Sequence, residues 1–434
     1  MRYRSAILMT GILLIAAAAY ATNPYFGNRQ ELPTGSGPNC VISADFNGDE
    51  NIDLCVVNYA DWSISVLINN GDGTFQPEVI YWAHWASFAA CAADLDGDND
   101  IDLAVTNSSS DDISILLNNG DGTFGLAVNY PAGDFPHSIV AGDFDGDYDN
   151  DLATANHQSN NVSILLNNGD GTFQPSIEYA IGDDPRMIVS ADFDGDNDND
   201  LAITNSGSEE VSILLNNGDG VFAPAINYFV DGYAFAIAAA DFDGDTDYDL
   251  AITFTSDNIL ILRNDGAGVF SAFGSYPTND NDAYSIYAAD FNGDHMSDLA
   301  VANIDSHQTT IFMNTGSGVF LPSKNYEAGL YPNFVSSADF DNDGDNDLAV
   351  TNGGTDAVSI LFNLGELICG DVNDDNAVNI FDITDIIGYL YLSGPPPIPP
   401  AAANVNNDGT INIFDITDFI AFLYLDGPPL NCPE

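Results

Sequence analysis

The chain repeats itself every 49 residues, seven times over, and no other feature constrains its fold as tightly. Asp45, Asp94, Asp143, Asp192, Asp241, Asp290 and Asp339 each open a segment close to D-F-D-G-D-x-x-x-D-L-A-V-T-N. A fixed period of about 40–50 residues belongs to propellers and arrays, whose units bury an apolar face only by stacking on their neighbours. In the third unit the runs Ser138–Phe144, Leu152–Asn156, Val162–Asn167 and Thr172–Tyr179 are short, apolar and separated by Gly/Asn/Asp turns. That is the pattern of antiparallel strands. The stretch Asn167-Asn168-Gly169-Asp170-Gly171 suits the positive φ angles of a tight hairpin. Four strands in each of seven units predict an all-β seven-bladed propeller. The seventh unit stops after Ser359–Asn363, without the G-D-G turn or a fourth strand. Phe26 lies 49 residues before Phe75, so Pro24–Leu32 is in register to supply that strand and close the ring. We expect the propeller over residues 22–365 and a smaller domain over 366–434.

Charge narrows the function. The sequence has 66 Asp+Glu against 6 Lys+Arg, a net charge of −60, which disfavours nucleic acid and anionic membranes as partners. Thirty-one of the acids are Asp at odd positions of the seven repeated loops. Carboxylates packed so densely repel one another unless a cation sits among them. Positions 1, 3, 5, 7 and 9 read Asp45, Asn47, Asp49, Asn51, Asp53 in the first loop and Asp94, Asp96, Asp98, Asp100, Asp102 in the second. The next three read Asp143, Asp145, Asp147, Asp149, Asp151; Asp192, Asp194, Asp196, Asp198, Asp200; and Asp241, Asp243, Asp245, Asp247, Asp249. The last two read Asp290, Asn292, Asp294, Met296, Asp298 and Asp339, Asp341, Asp343, Asp345, Asp347. So many hard oxygen ligands suit Ca2+ better than Mg2+ or zinc. Met296 is compatible only if position 7 binds through its backbone carbonyl. We expect up to seven calcium ions in the propeller.

These segments resemble FG-GAP repeats, as in integrin α-subunit propellers and, more closely, bacterial VCBS-type propellers. The resemblance spans Pro24–Asn363. It implies that each acidic loop joins the innermost strand of a blade to the second and binds calcium. That family favours glycine at loop position 6, where only Gly344 fits; Glu50, Asn99, Tyr148, Asn197, Thr246 and His295 do not.

The last 66 residues carry a different pattern, used twice. Asp371, Asn373, Asp375, Asn379 and Asp382, with the Ala377 carbonyl, fill the ligand positions of an EF-hand-like loop. Asn404, Asn406, Asp408, Asn412 and Asp415, with Thr410, repeat it. Apolar-periodic helices are expected over Ile383–Leu392 and Ile416–Leu425, and a stiff proline spacer over Gly394–Pro400. The duplicated N-I-F-D-I-T-D is similar to type I dockerin, which implies one or two further calcium ions and a cohesin-type partner. Ile380-Phe381 and Ile413-Phe414 stand where that family has small polar partner-reading residues. They are read either as partner anchors or, more plainly, as packing between the two helices. Cys369 and Cys432 bracket the domain and are expected to form a disulfide. Cys40, Cys55 and Cys91 are left over in the first two units.

Arg2 and Arg4, the apolar run Ala6–Ala18 and Ala19-Tyr20-Ala21 read as a cleaved signal peptide over residues 1–21, hence a secreted protein without membrane insertion, with an uncleaved anchor as the alternative. A ligand face is expected opposite the acidic loops. Asn39, Phe88, His137, Arg186, Phe235, Tyr284 and Asn333 begin the innermost strands and should ring the channel mouth. Ordinary loop-edge residues are the plainer alternative. The stretch Tyr81-Trp82-Ala83-His84-Trp85 reads as a sugar-stacking cluster or, more plainly, as core between blades. The five histidines show no metal-ligand spacing, and no nucleophile elbow or phosphate loop appears. The reading is a calcium-stabilised, non-catalytic recognition or adhesion propeller for glycan or protein. The alternative, by association with the dockerin-like tail, is a polysaccharide-active enzyme or accessory subunit.

Overall fold

A computed structural model describes residues 24–27, 29–255, 258–278, 282–366, 369–372, 378–392, 394–397, 400–425 and 428–432. Four-stranded antiparallel sheets repeat around a ring. The first blade runs Pro38–Ala44, Asp53–Asn58, Ser63–Leu67 and Val79–Trp82 from the axis outward. Five more follow the same order, and the seventh uses Pro332–Ala338, Asp347–Asn352 and Ala357–Leu361. Its outer strand comes from the other end of the chain: Gln30–Pro33 pairs antiparallel with Ala357–Leu361. Just before it, Pro24–Phe26 pairs with Asn363–Glu366, and Phe26 opposite Asn363 repeats the Asn69–Phe75 bridge of the first blade. N- and C-terminal sequence thus share one blade, which leaves no open edge at the seam.

The strands differ in burial for a geometric reason. Each second strand, such as Asp102–Asn107, is buried at all six positions because neighbouring blades cover both its faces. It therefore reads as a continuous D-L-A-V-T-N run rather than an alternation. Outer strands such as Val128–Pro131 are mostly exposed. The propeller core is divided into clusters that bridge adjacent blades. Leu95, Ala104 and Ile115 of the second blade pack on Ile139, Leu152 and Phe173 of the third. Leu32 and Val358 of the seventh pack on Val41 and Leu54 of the first, so the seam has an apolar core of its own.

The C-terminal domain is helical: α1 (Ile380–Leu392), α2 (Pro400–Ala403) and α3 (Ile413–Tyr424). Val372, Ile383, Ile386, Val405, Ile416 and Phe419 form its core. A disulfide joins Cys369 to Cys432. Among the described residues no helix is long and apolar enough to cross a membrane. The signal-peptide reading of residues 1–21 lies outside the described residues.

Candidate functional site

The acidic loops fold around their own first carboxylate. In the second loop Asp94 accepts the N–H groups of Gly97 at 2.8 Å and Asn99 at 3.0 Å, and Asp98 accepts that of Asp100 at 3.0 Å. These nested turns need left-handed backbone at positions 4 and 6. Glycine holds position 4 in six loops, with Asn342 in the seventh at φ 62°. Position 6 is left-handed in every loop whatever its residue, from Asn99 at 73° to Tyr148 at 72° and Thr246 at 80°. The family's preference for glycine there is a preference for this conformation, and the loop keeps it without the glycine.

Position 9 opens the second strand and is buried in all seven loops. Asp102 accepts the Leu95 N–H at 2.9 Å and the Asn118 N–H at 2.7 Å, tying the loop to the G-D-G hairpin beside it. Burial, opposed by those two backbone bonds, pushes Asp53, Asp102 and Asp249 up to about 6. It pushes Asp151, Asp200 and Asp298 up to about 7 and Asp347 up to about 8. Position 3 is raised as well, at Asp96 by burial and then by the neighbouring Asp98 charge. Carboxylates so arranged favour a cation between them.

The geometry gathers them accordingly. Positions 1, 3 and 9 bring carboxylate oxygens within 4.8 Å of one another in five loops, at Asp94/Asp96/Asp102, Asp143/Asp145/Asp151, Asp192/Asp194/Asp200, Asp241/Asp243/Asp249 and Asp339/Asp341/Asp347. One buried oxygen each of Asp145, Asp194 and Asp341 has no hydrogen-bond partner, which fits a metal ligand. In the first and sixth loops position 3 is an amide, and Asn47 and Asn292 each donate to position 5, Asp49 and Asp294, at 3.1 Å. In the fifth loop Arg263 ion-pairs with Asp243, a cation already built in. Side chains at position 7 point elsewhere: a Cβ on Gly120 would lie 2.5 Å from Asp100 Oδ2, and one on Gly316 would lie 2.4 Å from Met296 Sδ. They pack on the hairpin glycine and leave the carbonyl as the group free to face the loop.

One set of residues escaped the sequence reading. Asn69, Asn118, Asn167, Asn216, Asn264, Asn314 and Asn363 each donate through Nδ2, at 2.8–2.9 Å, to the position-2 carbonyl of the preceding blade. Each latch therefore joins one blade's hairpin to the preceding blade's acidic loop, around the whole ring. The signal was present: this asparagine recurs in every unit, two residues before a glycine.

In the C-terminal domain the helices begin three residues earlier than expected. Asn379 accepts the Phe381 N–H at 2.8 Å, and Asn412 caps α3 with Asp415 in a capping box. Asp382 accepts the N–H groups of Val372 at 2.9 Å and Asn379 at 2.7 Å. In the second loop Asp408 donates its N–H to Asn404 at 3.1 Å, and Asp408 accepts that of Thr410 at 3.0 Å. Asn373, Asp375 and Ala377 lie outside the described residues. Ile380 and Phe381 are 45% and 64% exposed, Ile413 and Phe414 47% and 64%. The expectation that they pack the helices together is therefore incorrect. The earlier caps place them in the first helical turn, facing solvent, while Ile383, Ile386, Ile416 and Phe419 fill the interior.

The seven residues read as a channel rim do converge, but on one another. Asn39, Phe88, His137, Arg186, Phe235, Tyr284 and Asn333 enclose a cavity of only about 40 Å³. Phe88 stacks on His137 at 3.9 Å, Phe235 on Tyr284 at 4.2 Å, and Asn39 donates to the Phe88 carbonyl at 2.9 Å. Burial, then the Arg186 charge, push His137 down to about 3, so the neutral ring donates Nδ1–H to the Arg186 carbonyl at 2.9 Å. They form a plug over a channel of about 480 Å³ lined by residues such as Ala92, Val140 and Ser336. Of the aromatic stretch, Tyr81 packs on Phe124, but Trp82 and Trp85 are exposed, so core packing between blades does not account for them.

Comparison with known proteins bears on both parts. The FG-GAP-like repeat profile matches six times, at residues 45–105, 94–154, 144–203, 192–252, 241–301 and 290–350. The dockerin type I domain profile matches residues 369–423. No curated protein matches the chain in sequence. Among solved structures, a chain from the crystal structure of BBS1N in complex with ARL6DN is 13% identical, with 78% of this chain and 97% of that chain covered and a TM-score of 0.58. An Agrocybe aegerita lectin that recognises non-reducing terminal N-acetylglucosamine is 20% identical, with 70% and 90% covered and a TM-score of 0.52. Virginiamycin B lyase from Staphylococcus aureus is 13% identical, with 78% and 99% covered and a TM-score of 0.54. Likeness at such identities concerns the fold alone.

Proposed function

Because this chain belongs to the FG-GAP-like repeat family and ends in a dockerin type I domain, we propose that it is a secreted, calcium-loaded recognition propeller docked to a cohesin-type partner. The dockerin domain supports the tether, and a repeat propeller fits a non-catalytic or accessory role in a cellulosome-like assembly. The observation that carries the reading is the exposure of Ile380-Phe381 and Ile413-Phe414 on equivalent first turns of α1 and α3. Aromatic and aliphatic side chains held in solvent on a rigid helix are anchors of an interface.

Calcium supplies positive charge at the acidic loops. Carboxylates at positions 1, 3, 5 and 9 and the carbonyl at position 7 would hold it, with up to seven ions in the ring and one or two in the dockerin domain. The carboxylate triads of the second, third, fourth and seventh loops favour full occupancy, and Arg263 weakens the fifth. The face of the propeller opposite these loops takes the glycan or protein ligand.

The test is binding of the full chain to an isolated type I cohesin, by calorimetry with calcium present. We expect a complex that weakens by more than about tenfold in the F381S/F414S double variant, as loss of interface anchors predicts. Equal affinity of variant and parent would remove these residues from the interface. Product release from polysaccharide by the purified chain would favour a catalytic role instead.

A further inference from the structure

We propose that the junction between the first and second blades is a binding site for neutral oligosaccharides, an inference that rests on the propeller's recognition role and gives it a location. The seven units act as internal comparisons for one another. Four residues past the second strand's terminal asparagine, the turn holds a left-handed residue: Trp62 at φ 58°, Asp111 at 56°, Asn160 at 55°, Glu209 at 57°, His307 at 65° and Asp356 at 49°. Asp111 accepts the Phe135 N–H and Asn160 the Asp184 N–H at 2.9 Å, His307 the Tyr331 N–H at 3.2 Å and Asp356 the Gly37 N–H at 2.8 Å. Each bond fastens the entrance of the next blade. Glu209 does not accept such a bond but carries an acceptor; of these six residues only Trp62 has none, since an indole only donates. A bulky residue in left-handed backbone, with a lost structural bond and no local gain, points to function rather than folding.

The blade entrance it should have fastened departs from the repeat too. Gly133-Asp134 and Gly182-Asp183 open the third and fourth blades, whereas His84-Trp85 open the second. Trp62, Trp82 and Trp85 are all the tryptophans of the chain, and they are 48%, 67% and 60% exposed. Tryptophan is normally among the most buried side chains. Trp62 precedes Ser63, which pairs with Trp82 across the outer strands, so both stand at one corner of the blade. Tyr59, in the same turn as Trp62, is also exposed and packs edge-on against Phe88 at 5.8 Å. His84 lies 5.6 Å from Trp85, and its Nδ1 is held 2.7 Å from Asp112 Oδ2, which fixes the ring and leaves Nε2 for hydrogen bonding.

Flat rings beside an oriented polar atom suit the apolar face and hydroxyl edge of a pyranose. Polyanions are repelled by a net charge of −60. Cations are best held in enclosing aromatic cages, and these rings lie open.

Because every tryptophan belongs to this corner, intrinsic fluorescence of the full chain reports on it directly. Titration with neutral cello-, xylo-, manno- and chito-oligosaccharides should give a saturable change in emission with at least one of them. Trp85→Ala should weaken that ligand by about tenfold, as loss of one stacking ring predicts. Trp62→Asp restores the acceptor found in the other units, so it should raise the melting temperature while weakening binding, two effects of opposite sign. Saturable binding with unchanged emission, or undiminished in both variants, would overturn the location while leaving glycan recognition intact. Binding confined to cationic chitosan oligomers would overturn the ligand class. No binding of any glycan by the parent protein would overturn the site together with the glycan reading beneath it.

Discussion

Thr246 sits at φ 80° in the fifth acidic loop, a conformation that a β-branched residue adopts only under constraint. The constraint is the Asp241 carboxylate, which accepts the Thr246 N–H at 2.9 Å. Replacing Thr246 by glycine should therefore stabilise the protein by about 1 kcal/mol, because the strain goes while the bond stays. Urea unfolding with saturating calcium checks this; a loss of stability would mean that the threonine side chain has a role of its own. The latches make the opposite prediction. Asn118 donates to the buried Phe46 carbonyl at 2.8 Å and to the partly buried Ile101 carbonyl at 2.9 Å. Asn118→Ala should cost about 2 kcal/mol, since it leaves one buried and one partly buried acceptor unmade. The D-x-D spacing of the loops was legible in the sequence because side chains carry it. The handedness of position 6 was not, because Glu50, Tyr148 and Thr246 give no hint of a backbone state they disfavour.

At the scale of the element, the acidic loop and its hairpin form one electrostatic unit around the position-9 aspartate. Burial raises that group above its ordinary value, to between about 6 and about 8 across the ring. A folded-state value above the unfolded one stabilises the fold below the ordinary aspartate range, and that contribution is lost as pH rises through the raised value. Chelated protein should therefore melt at progressively lower temperature between about pH 4 and pH 8, given an unfolded aspartate near 3.9. Calcium should remove most of that decline, since it favours the ionised form. A chelated melting temperature that rises across this window would contradict the assignment. The helices of the C-terminal domain show where element boundaries escape sequence reading. Asn379 and Asn412 were read as loop ligands, yet each also accepts an N–H from the first helical turn, which starts α1 and α3 earlier. That shift turns Ile380-Phe381 and Ile413-Phe414 outward and converts an expected packing pair into a surface.

For the whole molecule, the period of 49 residues made the architecture legible, because one blade cannot cover its own second strand. What it left open was individuality. The convergence of Asn39, Phe88 and His137 into a plug depends on how side chains from different blades meet across the axis, which no single unit encodes. Closure depends on the N-terminal segment, whose Leu32 and Phe26 enter the clusters on either side of the seventh blade. Deleting residues 24–33 should open the ring and expose strand edges, seen as a lower melting temperature and concentration-dependent association by light scattering. A monomeric, equally stable deletion would show that the C-terminal units close without it. The central claim remains that calcium in the acidic loops holds the ring together. Native mass spectrometry with parallel thermal unfolding, before and after exhaustive chelation, tests it most directly. The account predicts several calcium ions per chain in the untreated protein and a large fall in melting temperature on their removal, restored by calcium, since each ion binds only the folded loop. A chain that carries no calcium and melts identically with and without chelator would contradict it.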